Sequence, residues 1–159
     1  MNKRIKEKNL LEDLDPKALA ECRECTCFNL RKATRVVTQF YDDNMRPTGL
    51  RGTQFALLAH TQAMGPVALS KLAEVMVTDR TTLARNLEPL EKSGLVEVED
   101  GDDRRVRIIN ITEEGRKKLS EAYPYWQRTQ EEIKKMMGQY EWTALTSRLS
   151  VLVDRVQKK

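Results

Sequence analysis

Residues 67–112 read VALSKLAEVMVTDRTTLARNLEPLEKSGLVEVEDGDDRRVRIINIT, and this stretch decides the fold. Leu69, Leu72, Ala73 and Met76 recur at helical spacing and give a first helix one apolar face. Val77 and Thr78 break that face. Thr78 or Asp79 then caps a second helix, because a side-chain oxygen there accepts an otherwise unpaired N–H of the first turn. In the second helix Leu83, Leu87, Leu90 and Ala84 are expected to point inward. Arg80, Thr81, Thr82, Arg85 and Asn86 remain for the other side, near the N-terminal end.

The outer set has a chemistry of its own. An arginine fork matches N7 and O6 of guanine, asparagine bonds adenine through two atoms, and threonine offers a methyl to thymine. A helix-turn-helix reads bases with the N-terminal residues of its second helix, where these residues fall. Gly94 suits the C-terminal stop of that helix. Beyond it 95–98 alternates like a strand and 106–111 is a β-branched run. The polar, glycine-bearing segment 99–105 joins them as a hairpin turn. Helix, turn, helix and hairpin is the order of a winged helix. Arg104 and Arg105 at the wing tip suit a narrow, electronegative minor groove.

These residues carry a resemblance to a known family. Asp79-Arg80-Thr81-Thr82-Leu83, Glu91-Lys92-Ser93-Gly94-Leu95-Val96, Asp103-Arg104-Arg105 and Ile111-Thr112-Glu113-Glu114-Gly115 together resemble the MarR (multiple antibiotic resistance regulator) family of winged helix-turn-helix transcription factors. The likeness runs from about Thr26 to the C-terminus. It implies an obligate homodimer on palindromic operators, with Arg105 in the minor groove held by a salt bridge from Asp103. It also implies a small aromatic effector between the dimer region and the winged helix, where Phe40, Tyr41, Phe55, His60 and Tyr123 are the candidates for the lining.

Outward from this centre, the chain is expected to be mainly α with a small β-hairpin wing. Asp15-Pro16 is a helix start, after a charged segment 1–14 that is expected to fray. A short helix over 17–24 precedes a longer one from Thr26, striped by Phe28, Ala33, Val37, Phe40, Tyr41 and Met45. Pro47 to Gly49 stops it, and Thr53 caps a third helix over 54–64. Thr112 caps a long helix with an acidic first turn, favoured by the helix dipole. Pro124 should kink or split that helix, since proline lacks the N–H and crowds the carbonyl four residues back. Gly138 ends it, and a last helix over 141–156 carries Trp142, Leu145, Leu149, Leu152 and Val156.

The whole is expected to be one domain, 1–159, with a DNA-binding lobe over 50–112 and dimerisation helices over 15–46 and 113–157. Those helices hold more apolar side chains than one arm can cover, and a partner chain supplies the cover. The geometry agrees. Two recognition helices on one DNA face stand about 34 Å apart, and a helix of roughly 25 residues reaches about 37 Å.

The formal charge of +4 is a mild preference for a polyanion, too small to carry the case alone. No apolar run approaches the roughly 20 residues that span a bilayer, and the N-terminus lacks an apolar signal core. A cytoplasmic place is expected. With one histidine, no phosphate-cradling glycine loop and no paired metal-ligand motif, neither an enzyme nor a cofactor is expected.

Cys22, Cys25 and Cys27 are spaced C-x2-C-x-C. Close thiolates bind thiophilic metals or form a disulfide, but three ligands are one short of a structural zinc site. The function expected is a homodimeric transcriptional regulator, a repressor released by a small ligand or by thiol oxidation. Two alternatives stand beside it: a winged-helix protein–protein module without an operator, and a cysteine-based redox or metal sensor variant of the regulator.

Overall fold

The computed structural model describes residues 16–103 and 105–158. The segment 1–14, the Asp15 cap and the wing-tip Arg104 therefore lie outside the described residues. Two compact units are distinguished, Met1–Gln39 and Phe40–Lys159. In the first, α1 (Pro16–Glu21) passes into a tight 3-10 turn, Cys22–Glu24, and then into α2 (Thr26–Met45). The Asn29 amide donates to the carbonyls of Arg23 (2.8 Å) and Cys25 (3.0 Å), which holds the bend between the turn and α2.

The second unit holds the core. Helix α3 (Gly52–Met64) starts two residues earlier than the sequence led us to expect, with Arg51 as its cap residue. The reason is local. The Gln54 side chain accepts the Arg51 N–H at 2.9 Å and Asp42 accepts the Gly52 N–H at 2.8 Å. Two unpaired donors are thereby satisfied without Thr53. Strand β1 (Val67–Ala68), which periodicity did not reveal, leads into α4 (Leu69–Val75) and α5 (Arg80–Lys92).

Strands β2 (Val96–Asp100) and β3 (Arg107–Ile111) form the expected hairpin, and β1 adds to its other side, giving the antiparallel order β1-β3-β2. The register pairs Val96 with Ile111, Val98 with Ile109 and Asp100 with Arg107, so pairing runs further out than expected and the turn is shorter. The central β3 buries Ile109 against Leu58, Leu72, Leu83, Leu87 and Leu90 in one cluster.

Helix α6 (Glu113–Met137) is a single helix of 25 residues, with Pro124 inside it. Of the kink or split expected at Pro124, the split does not occur. Pro124 and Ser120 are both exposed, so water can reach the carbonyl that the missing N–H leaves free. As expected, Thr112 caps α6, its hydroxyl oxygen accepting the Gly115 N–H at 3.0 Å. The same hydroxyl donates to the Gly94 carbonyl (2.6 Å), and the Thr112 N–H donates to the Leu95 carbonyl (3.2 Å). The segment after α5 and the start of α6 are thus tied by the Thr112 hydroxyl and the Thr112 N–H. Gly138, at φ +83°, ends α6, and α7 (Gln139–Gln157) follows.

Candidate nucleic-acid interface

Helix α5 is held from behind by Leu83, Leu87 and Leu90, each at most 2% exposed. At about 100° per residue, the direction opposite these leucines is taken by Thr81 and Arg85, with Thr82 and Asn86 on one flank. Arg80, Thr81, Thr82, Arg85 and Asn86 are all exposed. Ala84 is exposed too, against expectation, because it falls about 100° from the leucine row rather than on it. Among the described residues, the side chains of Arg80, Thr81, Arg85 and Asn86 make no hydrogen bond or ion pair. They are available to an outside partner.

Asp79 fixes the N-terminal end of this surface. One of its carboxylate oxygens accepts the Thr82 N–H at 2.9 Å and the other accepts the Thr82 hydroxyl at 2.6 Å. The hydroxyl first, and then the backbone N–H, hold the Asp79 carboxyl below its ordinary range. Further along, Lys92 and Glu88 pair at 2.6 Å across one helical turn. The bond with Lys92 lowers the Glu88 carboxyl, and the same bond raises the Lys92 ammonium. The positive end of the surface is therefore the N-terminal one, where Arg80 and Arg85 lie.

The wing tip is built by an aspartate. The Asp103 carboxylate accepts the Arg105 N–H at 3.0 Å, and its carbonyl accepts the Val106 N–H at 2.7 Å. Among the described residues its contact with Arg105 is thus to the backbone, not the guanidinium. Arg105 is exposed. At the neck of the hairpin Arg107 lies 3.7 Å from Asp100, a pair the sequence reading missed although the strand register places them opposite each other.

The other candidates are more scattered. Phe55 stacks on Trp126 at 5.6 Å, and Tyr123 is tilted against the same ring at 5.7 Å. Tyr41 donates to Gln130, and burial raises its phenol. Phe40 is half-buried, and His60 is exposed, its ring nitrogen 2.8 Å from the Ala56 carbonyl. Trp126 is the residue on which Phe55 and Tyr123 converge. Cys22, Cys25 and Cys27 are free and exposed. They do not share one helix: Cys22 opens the 3-10 turn, Cys25 lies at the bend and Cys27 is in α2.

A capped helix presenting unpaired Arg and Thr, beside an arginine-bearing hairpin, defines a winged helix-turn-helix DNA-binding protein. Residues 48–106 match the MarR family. The chain is 36% identical to the M. tuberculosis transcriptional regulator MosR, seen in complex with DNA, over 84% of this chain and 97% of that one, with a TM-score of 0.78. The transcriptional repressor CouR, bound to a DNA duplex, has the same fold at 24% identity, covering 85% of this chain and 96% of that one, with a TM-score of 0.75. Among Bacillus subtilis proteins, the HTH-type transcriptional regulator YwaE is 25% identical over 79% of this chain and 74% of its own length. This chain belongs to the MarR family. It is a DNA-binding transcription regulator, not an enzyme. Among the described residues no helix is long and apolar enough to cross a membrane.

Proposed function

We propose that the protein is a homodimeric, cytoplasmic repressor of a palindromic operator. Helix α5 of each copy enters the major groove, and the wing reaches the minor groove through Arg105 and the neighbouring Arg104. The observation that carries this reading is the free Thr81–Arg85 face of α5, backed by three buried leucines. Arg85 is assigned to a base edge, with Arg80, Thr81, Thr82 and Asn86 around it. Asp103 supports the wing by ordering its turn. The unburied α7 and the length of α6 support the dimer. In domain terms, 50–112 is the reading lobe, and 15–46 and 113–157 are the dimerisation helices.

Release from DNA follows from any ligand that binds the DNA-incompetent spacing of the two lobes more tightly. A small aromatic compound against Phe40, Tyr41, Phe55, His60 and Tyr123 is one such ligand. Oxidation of the exposed thiols is the second route, favoured by three free cysteines within six residues. A triple Cys→Ser variant that still leaves DNA on peroxide treatment would remove that route.

The direct test is binding to mixed genomic DNA at rising salt. A DNA reader loses affinity linearly in log–log form as counterions are released. A flat response would favour a protein-binding module instead. Arg85→Ala is expected to cost about 1–3 kcal/mol on the selected operator and to relax preference at one position. Arg105→Ala is expected to weaken selected and unrelated DNA alike.

A further inference from the structure

Asp79 and Thr82 are joined by two hydrogen bonds at the start of α5. This argument rests on α5 being the base-reading helix. A threonine hydroxyl has one proton and two lone pairs. Here the proton is committed: the hydroxyl donates to one Asp79 oxygen at 2.6 Å, while the Thr82 N–H occupies the other at 2.9 Å. Both carboxylate oxygens thus bind the same residue, and an ionised carboxylate has no proton to return. Toward an outside partner Thr82 offers lone pairs and a γ-methyl, and no donor. Thr81 differs, since its hydroxyl has no partner among the described residues and can donate or accept.

The major groove sorts bases by this distinction. Guanine shows only acceptors, N7 and O6, and finds nothing to bond at Thr82. An A·T pair shows the adenine amino group, which a lone pair accepts, and the thymine methyl, against which a methyl packs. A G·C pair shows the cytosine amino group but no methyl. We propose that Thr82 is a specificity-determining residue that selects an A·T pair at one position of each half-site, and that Asp79 is the positioning residue that makes it donor-free.

The chemistry of Asp79→Asn gives the sharpest test. Asparagine caps helices as well as aspartate. Its carbonyl oxygen replaces the acceptor for the Thr82 N–H, which leaves its NH2 facing the Thr82 hydroxyl. The NH2 then donates to that hydroxyl, and the Thr82 proton turns outward. Bound sequences are selected from a random duplex pool with the full-length parent, Thr82→Ser and Asp79→Asn, after matched thermal melts. The parent is expected to select an A·T pair at one position per half-site. Deoxyuridine in place of that thymidine, which removes only the methyl, is expected to weaken parent binding about fourfold, the worth of one buried methyl. Thr82→Ser is expected to be indifferent to that methyl, and Asp79→Asn to accept guanine there.

A parent with a clear motif, but no position where Thr82→Ser changes the profile or the uracil response, overturns the assignment alone. So does a parent that prefers G·C at the position Thr82→Ser alters. A parent that selects no sequence at all overturns the base-reading role of α5, and this inference with it.

Discussion

Helices α5 and α7 carry the same signature, apolar residues three and four apart, and meet opposite fates. Leu83, Leu87 and Leu90 of α5 are buried against α3, α4 and the sheet. In α7 no residue is fully buried: Trp142, Leu149 and Leu152 are half-buried, and Leu145 and Val156 are 43% and 65% exposed. Periodicity therefore shows that a helix needs an apolar partner, and not which chain provides it. For α5 the partner is its own lobe, which leaves the polar face free for DNA. For α7 part of the apolar face is left uncovered, which is the surface that the proposed dimer would bury.

The α5 side of the comparison breaks most severely at Gly115. A Cβ added there would lie 2.0 Å from the Leu95 carbonyl oxygen and 2.7 Å from the Ile111 side chain. The obstacle is backbone, so α6 must lift away from the end of α5 and give up the Thr112 bonds to Gly94 and Leu95. Gly115→Ala is expected to destabilise by about 3 kcal/mol or more, above ordinary overpacking. Chemical denaturation measures it, and a loss under about 1 kcal/mol would mean that the joint gives way easily.

The α7 side breaks without touching the lobe. Leu145→Asp with Val156→Asp places charge on exposed positions, so each copy keeps its own core. Sedimentation is expected to find monomers with an unchanged helical spectrum. Operator affinity is expected to fall by roughly 100-fold, because the second half-site is no longer tethered to the first. A variant that remains dimeric would place the interface elsewhere.

What was legible in the sequence was what neighbours decide. The cap of α5 (readable as Thr78 or Asp79, and found at Asp79), the leucine row, the Gly94 stop and the hairpin all depend on residues within a few positions, and all are present. What was missed depends on distance or on direction. β1 is two residues long and exists only because Val67 and Ala68 meet Ile109 and Ile108 some forty residues on. The need for glycine at 115 comes from Leu95, which no local pattern reveals. Ala84 reads as inward because alanine is apolar, but one methyl does not decide an azimuth, and the residue is exposed. In the site, the residue types of α5 were readable, whereas the commitment of the Thr82 proton to Asp79 is a matter of rotamer. The wing showed the same limit: sequence placed Asp103 beside Arg105, and geometry decided that it orders the backbone.

A smaller contrast sits at the ends of α4 and α5. Both helices close with the same pair of backbone bonds. Val77 N–H donates to the Glu74 carbonyl and Thr78 N–H to the Ala73 carbonyl, just as Gly94 donates to Glu91 and Leu95 to Leu90. The turning residue is left-handed in each, at φ +69° for Gly94 and +52° for Val77. A β-branched residue is strained there by about 1–2 kcal/mol. Val77 is also exposed, so little packing compensates. Val77→Gly is expected to stabilise by about 1 kcal/mol, less than the full strain because glycine frees the unfolded chain. A destabilised variant would show that the valine side chain has a contact that outweighs its backbone.

The smallest expected effect compares the start of α5 with itself across pH. The Asp79 carboxyl is held below its ordinary value of 3.8 by the Thr82 hydroxyl and N–H. A carboxyl lowered by folding adds stability that is complete above the unfolded value and disappears as pH falls through the folded one. Asp79→Ala is therefore expected to melt below the parent near neutral pH, and the gap is expected to close as pH drops through and below 3.8. Thermal melts of both proteins across that range measure it. A gap that stays constant into acid would assign the cap to the shape of the side chain rather than to its charge.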